Sequence, residues 1–291
     1  MPPDATRRGA IVGAVAAVLA AAPASASTDT FARLEHSVGG RLGVAALDTA
    51  SGARLGHRAG ERFPMCSTFK LLAVAAVLGR IDRGQERLDR VIRYGEADLL
   101  GYAPISRAHV REGGLPLGTL CQAAIELSDN TAANLILRQL GRPAAVTAFA
   151  RGLGDPVTRL DRNEPTLNTA IPGDPRDTTT PAAITADLRA LSLGGILSPT
   201  SRELLNGWLT GCKTGQTRLR AGFPASWHVG DKTGTGVNGT ANDVAIAWAP
   251  GGPILIACYL TQAARATAAA RDGVHAEVAR MVVHQFRGLH G

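Results

Sequence analysis

The sequence predicts a mixed α/β fold (α+β), with an antiparallel sheet built from both chain ends, flanking helices and an all-α lobe from the middle of the chain. Strand-like runs occur only in residues 42–58 and 227–261, whereas helical patterns dominate residues 67–210. A chain of 291 residues with 45% hydrophobic content can bury a substantial core, as one large domain or two interleaved ones.

The first 26 residues have the pattern of a cleaved export signal. Arg7 and Arg8 supply a positive start, residues 10–22 form an apolar stretch, and small residues at 24–26 offer a cleavage site before Ser27. The apolar stretch is too short for a typical spanning helix and no charged flank follows it, which disfavours a membrane anchor. We therefore expect a periplasmic or secreted protein without stable membrane association after cleavage. The paired arginines loosely fit a twin-arginine signal.

The first elements after this signal are a helix, a strand pair and a longer helix. Their predicted bounds are 30–38 for the helix, 42–48 and 54–58 for strands around a turn at 49–52, and 67–83 for the longer helix, which ends at Gly84.

The middle of the chain is helical apart from one irregular stretch. Helical patterns cover residues 116–127, 132–140, 181–191 and 199–210. Residues 162–180 are rich in Pro, Asp and Thr and have no usable periodicity. An irregular stretch of this length inside a compact domain is usually functional.

The pattern then changes to strands, predicted at residues 227–232, 243–249 and 254–261, and ends with a helix at 272–287. We assign residues 27–59 and 212–291 to the α/β lobe and residues 60–211 to the helical lobe. A cleft between the two lobes is the natural place for a ligand site.

Composition argues against several classes of function. The net charge is +7, but basic and acidic residues are interspersed, with no basic block or aromatic–basic interleaving, so we expect no nucleic-acid partner. The four cysteines, like the histidines, lack the close spacing of a metal or redox motif, and no cofactor is expected. We favour buried free thiols, although an exported protein permits disulfides. The cysteines are Cys66, Cys121, Cys212 and Cys258.

Lysine is rare in this chain, and its positions indicate chemistry. Only three of the 31 basic residues are lysines; Lys70 lies in the pattern Ser67-x-x-Lys70, Lys232 opens Lys232-Thr233-Gly234, and the third is Lys213. A buried lysine amine can lose its proton, whereas arginine stays charged. Ser67 falls at a helix start with Lys70 one turn later, which puts the amine within reach of the hydroxyl. Alone, this pattern fits a capping serine and a solvated lysine equally well.

Two further patterns gain meaning only in combination. Ser128-Asp129-Asn130 lies in a break between two predicted helices and alone could be a helix cap. Lys232-Thr233-Gly234 ends a strand-like run and alone could be a strand end with a glycine turn. The three patterns in this order are far more specific than any one of them, and the set occurs in class A β-lactamases and penicillin-binding proteins.

The mature chain resembles a class A serine β-lactamase over essentially its whole length, which implies the β-lactamase/transpeptidase-like fold. Glu164-Pro165-Thr166-Leu167-Asn168 resembles the family's Glu-x-x-Leu-Asn element on its omega loop, here residues 162–177. Arg162 and Asp177 match the pair that closes this loop. The resemblance also implies a cis peptide before Pro165.

Two matches concern the substrate cleft. Tyr102 matches the aromatic residue at the cleft mouth. Arg218 matches an arginine that, in a subset of the family, helps to hold the substrate carboxylate. Other members carry that arginine at the position of Ala241, so Arg218 is expected to act alone.

The resemblance implies a role for each matched residue. Ser67 attacks the lactam carbonyl and forms an acyl-enzyme, with the backbone amides of Ser67 and Thr235 as the oxyanion hole. Lys70 shapes the proton path, and Ser128 passes a proton to the leaving nitrogen. Recognition of the substrate carboxylate is implied for Lys232, Thr233, Thr235 and Arg218, with Gly234 completing the Lys-Thr-Gly triplet. Asn130 is implied to recognise the acylamide side chain. Glu164 and Asn168 are implied to activate the hydrolytic water.

Two alternatives remain beside hydrolysis of penicillins and cephalosporins. A penicillin-binding DD-peptidase shares the three patterns but not the Glu164 element, and it deacylates slowly. A non-catalytic β-lactam sensor domain usually needs a membrane-spanning segment, and no long apolar stretch follows residue 26. Glu164 favours an antibiotic-resistance enzyme that hydrolyses its acyl-enzyme. From the resemblance we also expect a monomer.

Two cysteines match half-cystines of some relatives. The partner position of Cys121 is Val74 here. Cys66 matches one half of a disulfide found in a carbapenem-hydrolysing subgroup, and the other half would fall at Gly236. Both bonds are predicted to be absent.

Overall fold

The computed structural model describes residues 24–287, with side chains described from 30 to 286. Residues 1–23 of the predicted export signal lie outside this part of the chain. The helices are α1 Ala24–Val38, α2 Phe69–Asp82, α3 Pro104–Ala108, α4 Leu117–Glu126, α5 Asn130–Leu140, α6 Ala144–Gly152, α7 Pro181–Ser192, α8 Pro199–Thr210 and α9 Ala268–Arg287. Within the described residues, no helix combines the length and apolar character needed to cross a bilayer.

The strands form one main sheet and two short pairs. Their bounds are β1 Arg41–Asp48, β2 Arg54–His57, β3 Phe63–Pro64, β4 Val91–Arg93, β5 Gly114–Pro116, β6 Thr178–Thr179, β7 His228–Gly236, β8 Thr240–Ala249 and β9 Gly252–Thr261. The main sheet is antiparallel with the order β2-β1-β9-β8-β7. Because two of its strands come from the start of the chain and three from the end, the predicted fold class is confirmed.

Both faces of this sheet are covered, which explains why β1 and β9 are apolar along nearly their whole length. On one face, α1 and α9 pack through Phe31, Val278 and Phe286. The opposite face joins a larger core that includes most of α2, α4 and α5. Division into lobes at residues 59/60 and 211/212 stays a prediction.

Helix α2 is buried from Phe69 to Gly79 without a polar face. A helix that is hydrophobic all round belongs in the centre of a protein. The sequence predicted this helix from Ser67, but Cys66–Thr68 form a 3₁₀ turn that precedes it. The turn presents Ser67 at the end of α2 that faces β7.

Strand β7 does not end at Lys232 as predicted but continues to Gly236, paired with β8 from Thr240. Glycine has low strand propensity, so the local pattern suggested a turn, and pairing along the ladder overrides that preference. A Cβ at Gly234 would lie 2.7 Å from the Met65 carbonyl oxygen, and one at Gly236 would lie 2.6 Å from Cys66 Sγ. These glycines therefore let β7 approach the Ser67 turn closely.

Candidate active site

Ser67 and Lys70 lie side by side at the start of the central helix. Cys66, which precedes the serine, has a φ of 46°, in the left-handed region. Lys70 Nζ donates to Ser67 Oγ over 2.8 Å. Their spacing of three residues brings the amine back over the hydroxyl, as the sequence pattern predicted.

Lys70 is fully buried, and every polar partner of its amine belongs to the site. The amine donates to the Ser128 carbonyl oxygen at 2.8 Å and to Asn130 Oδ1 at 2.7 Å, and it lies 3.1 Å from Glu164 Oε1. Burial lowers the pKa of Lys70, whereas the Glu164 carboxylate raises it; the net direction is down. The amine is therefore easier to deprotonate than a solvated lysine.

Ser128 is held in the break between α4 and α5. Its φ is 57°, and the neighbouring Asp129 caps α5 by accepting from the Ala132 amide over 2.8 Å. The same carboxylate accepts from the Ser106 amide and hydroxyl at 2.8 and 3.0 Å. Asp129 thus fixes the backbone so that its two neighbours face the lysine, while its own side chain points away.

The irregular stretch of residues 162–177 is closed by an ion pair between Arg162 and Asp177, with Nε and Oδ2 2.5 Å apart. The Glu164–Pro165 bond is cis, as the resemblance implied. The Glu164 backbone is clamped by Asn134, whose side chain accepts from its amide and donates to its carbonyl, each at 2.9 Å. This clamp turns the Glu164 side chain toward the nucleophile.

The Glu164 carboxylate bridges the loop and the nucleophile. Oε1 accepts from Ser67 Oγ at 3.1 Å, and Oε2 accepts from Asn168 Nδ2 at 2.5 Å. Glu164 is 3% exposed, so the serine has both a carboxylate and an amine within hydrogen-bonding distance in a nearly dry site.

Strand β7 forms the opposite wall. Lys232 Nζ donates to Ser128 Oγ at 3.1 Å and to the Thr233 carbonyl oxygen at 3.0 Å. Burial and the nearby Lys70 amine together lower the pKa of Lys232 to about 8, against the opposing effect of Cys212. Ser128 therefore lies between the two buried lysines.

Arg218 contacts the last residues of β7. Nη2 donates to Thr235 Oγ1 at 2.8 Å, Nη1 donates to the Gly234 carbonyl oxygen at 2.9 Å, and Nε pairs with Asp272 at 2.8 Å. Only 9% of the residue is exposed, so the guanidinium reaches the cleft through its Nη2 edge.

These walls enclose a cleft of about 340 Å³. Nine of the twelve predicted site residues line it: Ser67, Tyr102, Ser128, Asn130, Asn168, Arg218, Thr233, Gly234 and Thr235. The other three, Lys70, Glu164 and Lys232, lie beneath the surface and reach it through hydrogen bonds to Ser67 and Ser128. Tyr102 stands at the mouth, 53% exposed.

A family model described as the beta-lactamase enzyme family matches residues 26–286. Beta-lactamase AST-1 of Nocardia asteroides is 51% identical over 254 residues, covering 87% of this chain and 81% of that protein. Beta-lactamase CTX-M-8 of Citrobacter amalonaticus is 49% identical over 256 residues, covering 88% and 87%. This chain belongs to the class A β-lactamases. A solved ancestral class A β-lactamase, 60% identical, superimposes with a TM-score of 0.87 and covers 89% of this chain and 100% of that one.

Membership confirms the family predicted from the three patterns and the Glu164 element, and with it the prediction of a β-lactam-hydrolysing enzyme. It also decides against the sensor and DD-peptidase alternatives at the level of the family. Among residues 24–287, no group of three or more His, Cys, Asp or Glu side chains is arranged to hold a metal ion. All four cysteines of this β-lactamase are buried and unpaired.

Sequence reasoning missed three residues that shape the site. Asn134 clamps Glu164, Asp272 pairs with Arg218, and Thr214 lines the cleft with its hydroxyl 2.5 Å from that of Thr233. Asn134 lies on α5 only four residues after Asn130, so helical periodicity could have placed it on the same face. Thr214 and Asp272 lie outside every pattern, and no local signal marks them.

Proposed function

We propose that this β-lactamase opens the lactam ring through a covalent acyl-enzyme on Ser67. The hydroxyl lies at the wall of the cleft, donates to the Glu164 carboxylate and accepts from the Lys70 amine, an arrangement that suits nucleophilic attack. The backbone amides of Ser67 and Thr235 form the oxyanion hole that stabilises the tetrahedral intermediate.

Lys70 and Glu164 share the activation of the nucleophile in this proposal. Lys70 Nζ is 2.8 Å from Ser67 Oγ, and Glu164 Oε1 is 3.1 Å from it. The proton then passes from Lys70 to the leaving lactam nitrogen through Ser128, whose hydroxyl is 3.2 Å from Lys70 and 3.1 Å from Lys232. Burial lowers the pKa of both lysines, which favours such proton transfer.

Deacylation is assigned to Glu164 with Asn168, and the geometry of this pair is the observation that carries the proposal. The carboxylate points at Ser67 from a loop closed by Arg162 and Asp177, and Asn168 holds its second oxygen. A carboxylate in this position can activate a water against the ester on Ser67. This capacity separates a hydrolase from an enzyme that remains acylated.

Substrate recognition is assigned to the β7 wall and to the cleft mouth. Lys232, Thr233, Thr235 and Arg218 supply positive charge and hydroxyl donors for the substrate carboxylate. Asn130 binds the acylamide side chain and Tyr102 contacts it at the entrance. No metal or cofactor takes part.

The test is a time course with a chromogenic cephalosporin and two forms of the mature enzyme. We expect sustained turnover by the wild type and a single stoichiometric burst from Glu164→Ala, because acylation proceeds while hydrolysis of the ester stops. Ser67→Ala should give neither phase. A wild type that stops after one burst would contradict the proposal, as would a Glu164→Ala variant that turns over at the wild-type rate.

We also propose that residues 1–26 direct export to the periplasm or medium, by either the general secretory or the twin-arginine route, and that the mature enzyme is a monomer free of the membrane. The support for export is the composition of the segment, and the resemblance to the family is the support for a monomer. N-terminal sequencing and light scattering of protein from the periplasmic fraction test this: we expect Ser27 as the first residue and a monomeric mass.

A further inference from the structure

Thr214 contacts Thr233, a residue of the proposed carboxylate site. It lies in the loop between α8 and the 3₁₀ turn Leu219–Gly222 and lines the cleft. Its Oγ1 is 2.5 Å from Thr233 Oγ1 and 3.4 Å from Cys212 Sγ. The three side chains thus form a short row that ends at the cleft.

The loop that carries Thr214 is held from several sides, so the hydroxyl is fixed in place. The Lys213 amide donates to the Glu126 carbonyl oxygen at 2.8 Å, and the Gln216 side chain donates to the Cys212 carbonyl oxygen at 3.2 Å. A Cβ at Gly215 would lie 1.8 Å from Asp231 Oδ2, so glycine is required for the loop to approach β7 this closely.

The hydrogen bonds of this row can run in either of two directions. Each hydroxyl has a single hydrogen to donate. If Thr233 donated to Thr214, the Thr214 hydrogen would be left with the Cys212 sulfur, a weak acceptor at the longer distance. If Thr214 donates to Thr233, the bond between them is again an O–H···O bond, and the Thr233 hydrogen can point into the cleft.

We propose that Thr214 is a positioning residue that orients the Thr233 hydroxyl as a donor to the substrate carboxylate. This inference rests on the proposed function, because it requires an anionic β-lactam to occupy the cleft. A carboxylate accepts hydrogen bonds and donates none, so its binding selects the orientation in which Thr214 donates to Thr233. Preorganising that donor reduces the reorganisation needed when the substrate binds.

The test compares Thr214→Val and Thr214→Ser with the wild type, using benzylpenicillin and its methyl ester, which lacks the carboxylate. We expect Thr214→Val to lose about tenfold in kcat/KM for the acid, the equivalent of one hydrogen bond to a charged group. The ester should lose far less, and Thr214→Ser should restore most of the activity because it keeps the hydroxyl. An equal loss on acid and ester, or no recovery by serine, would show a merely structural role and overturn the inference.

A double-mutant comparison on the acid alone decides the matter even if the ester reacts too slowly to measure. Adding Thr214→Val to Thr233→Val should have almost no further effect, because the hydroxyl that Thr214 orients is already gone. Additive losses would overturn the inference. Failure of the wild type to turn over benzylpenicillin would instead refute the proposed function, so the two failures are distinguishable.

Discussion

Lys70 shows how one side chain carries chemistry that its neighbours cannot replace. Its amine contacts Ser67, the Ser128 carbonyl oxygen and Asn130, and it lies against Glu164 in a space closed to solvent. Burial lowers its pKa, while the Glu164 carboxylate keeps its charge compensated. The arginines that serve elsewhere in this chain have no accessible neutral form.

We expect Lys70→Arg to lose at least about a hundredfold in the acylation rate, because a permanently charged and bulkier guanidinium cannot accept the Ser67 proton. Stopped-flow measurement of acyl-enzyme formation tests this. Thermal unfolding of the variant is the control, since a folded protein is required. An acylation rate near that of the wild type would remove proton transfer from the role of Lys70.

Arg218 is a second residue whose role depends on its neighbours. Its Nε is engaged by Asp272 and its Nη1 by two carbonyl oxygens, which leaves the Nη2 edge beside Thr235. We expect Arg218→Ala to lower kcat/KM for carboxylate-bearing substrates about ten- to a hundredfold. The matched control is the methyl ester of the same substrate, which should lose much less. An unchanged kcat/KM for the acid would place the arginine outside substrate recognition.

At the scale of elements, α7 packs against the loop that follows α6 through two buried carboxyl groups. Asp187 on α7 is 2% exposed and Asp155 in the loop is 5% exposed. Asp155 accepts from the amides of Val157 and Thr158 at 2.6 and 3.1 Å, whereas Asp187 Oδ2 has no hydrogen-bond donor. Burial and the neighbouring Asp155 together raise the pKa of Asp187 to about 8, against the opposing effect of Arg151.

The raised pKa has a consequence for stability against pH. The folded state binds the Asp187 proton more tightly than the unfolded state does, so this group's contribution is complete at low pH and is lost as the pH rises toward about 8. The loss is at most about 1.4 kcal/mol for each pH unit within that window.

We expect Asp187→Asn to remove this dependence, because an amide can donate to Asp155 at every pH. Thermal unfolding at pH 5 and pH 8 measures it, with the exposed Asp89→Asn as the matched control. The Tm of Asp187→Asn minus that of the wild type should be clearly more positive at pH 8, while the control difference stays constant. A Tm difference for Asp187→Asn that is the same at both pH values would contradict a shared proton.

At the scale of the whole molecule, the active site is an assembly of segments far apart in sequence. The proposed nucleophile comes from the turn before α2, the proposed proton relay from the α4–α5 break, the proposed general base from residues 162–177 and the proposed carboxylate-binding wall from β7. None of these segments builds the site alone. The shape of the cleft, about 340 Å³ in volume, therefore depends on the two hydrophobic cores that pack on either face of the sheet.

Since the proposed mechanism runs through an acyl-enzyme on Ser67, we expect EDTA to leave the rate of β-lactam hydrolysis unchanged within error. The measurement is turnover of a chromogenic cephalosporin before and after prolonged dialysis against the chelator. Loss of activity that added zinc restores would contradict a serine mechanism. A zinc-dependent β-lactamase treated in parallel shows that the chelation was effective.

The family, the fold class and most residues of the candidate site could be predicted from the amino-acid sequence. The spacing of apolar residues predicted the long helices and the sheet strands, because the buried face of each element repeats with the period of that element. Ser67, Lys70, Ser128 and Glu164 were found because their chemistry needs fixed residue types within short segments. The helices α3 and α6 and the last residues of β7 were not predicted. Helix α3 spans only five residues, and the glycines at the end of β7 suggested a turn.

Which side chains contact these residues across the cleft became visible only in the folded structure. Thr214 and Asp272 contact Thr233 and Arg218 from loops and helices that no local spacing connects to them. The pairing of Asp155 with Asp187 likewise arises where two elements pack, and burial there sets the proton affinity. Contacts of this kind depend on distances between elements, which packing fixes and local sequence patterns do not encode.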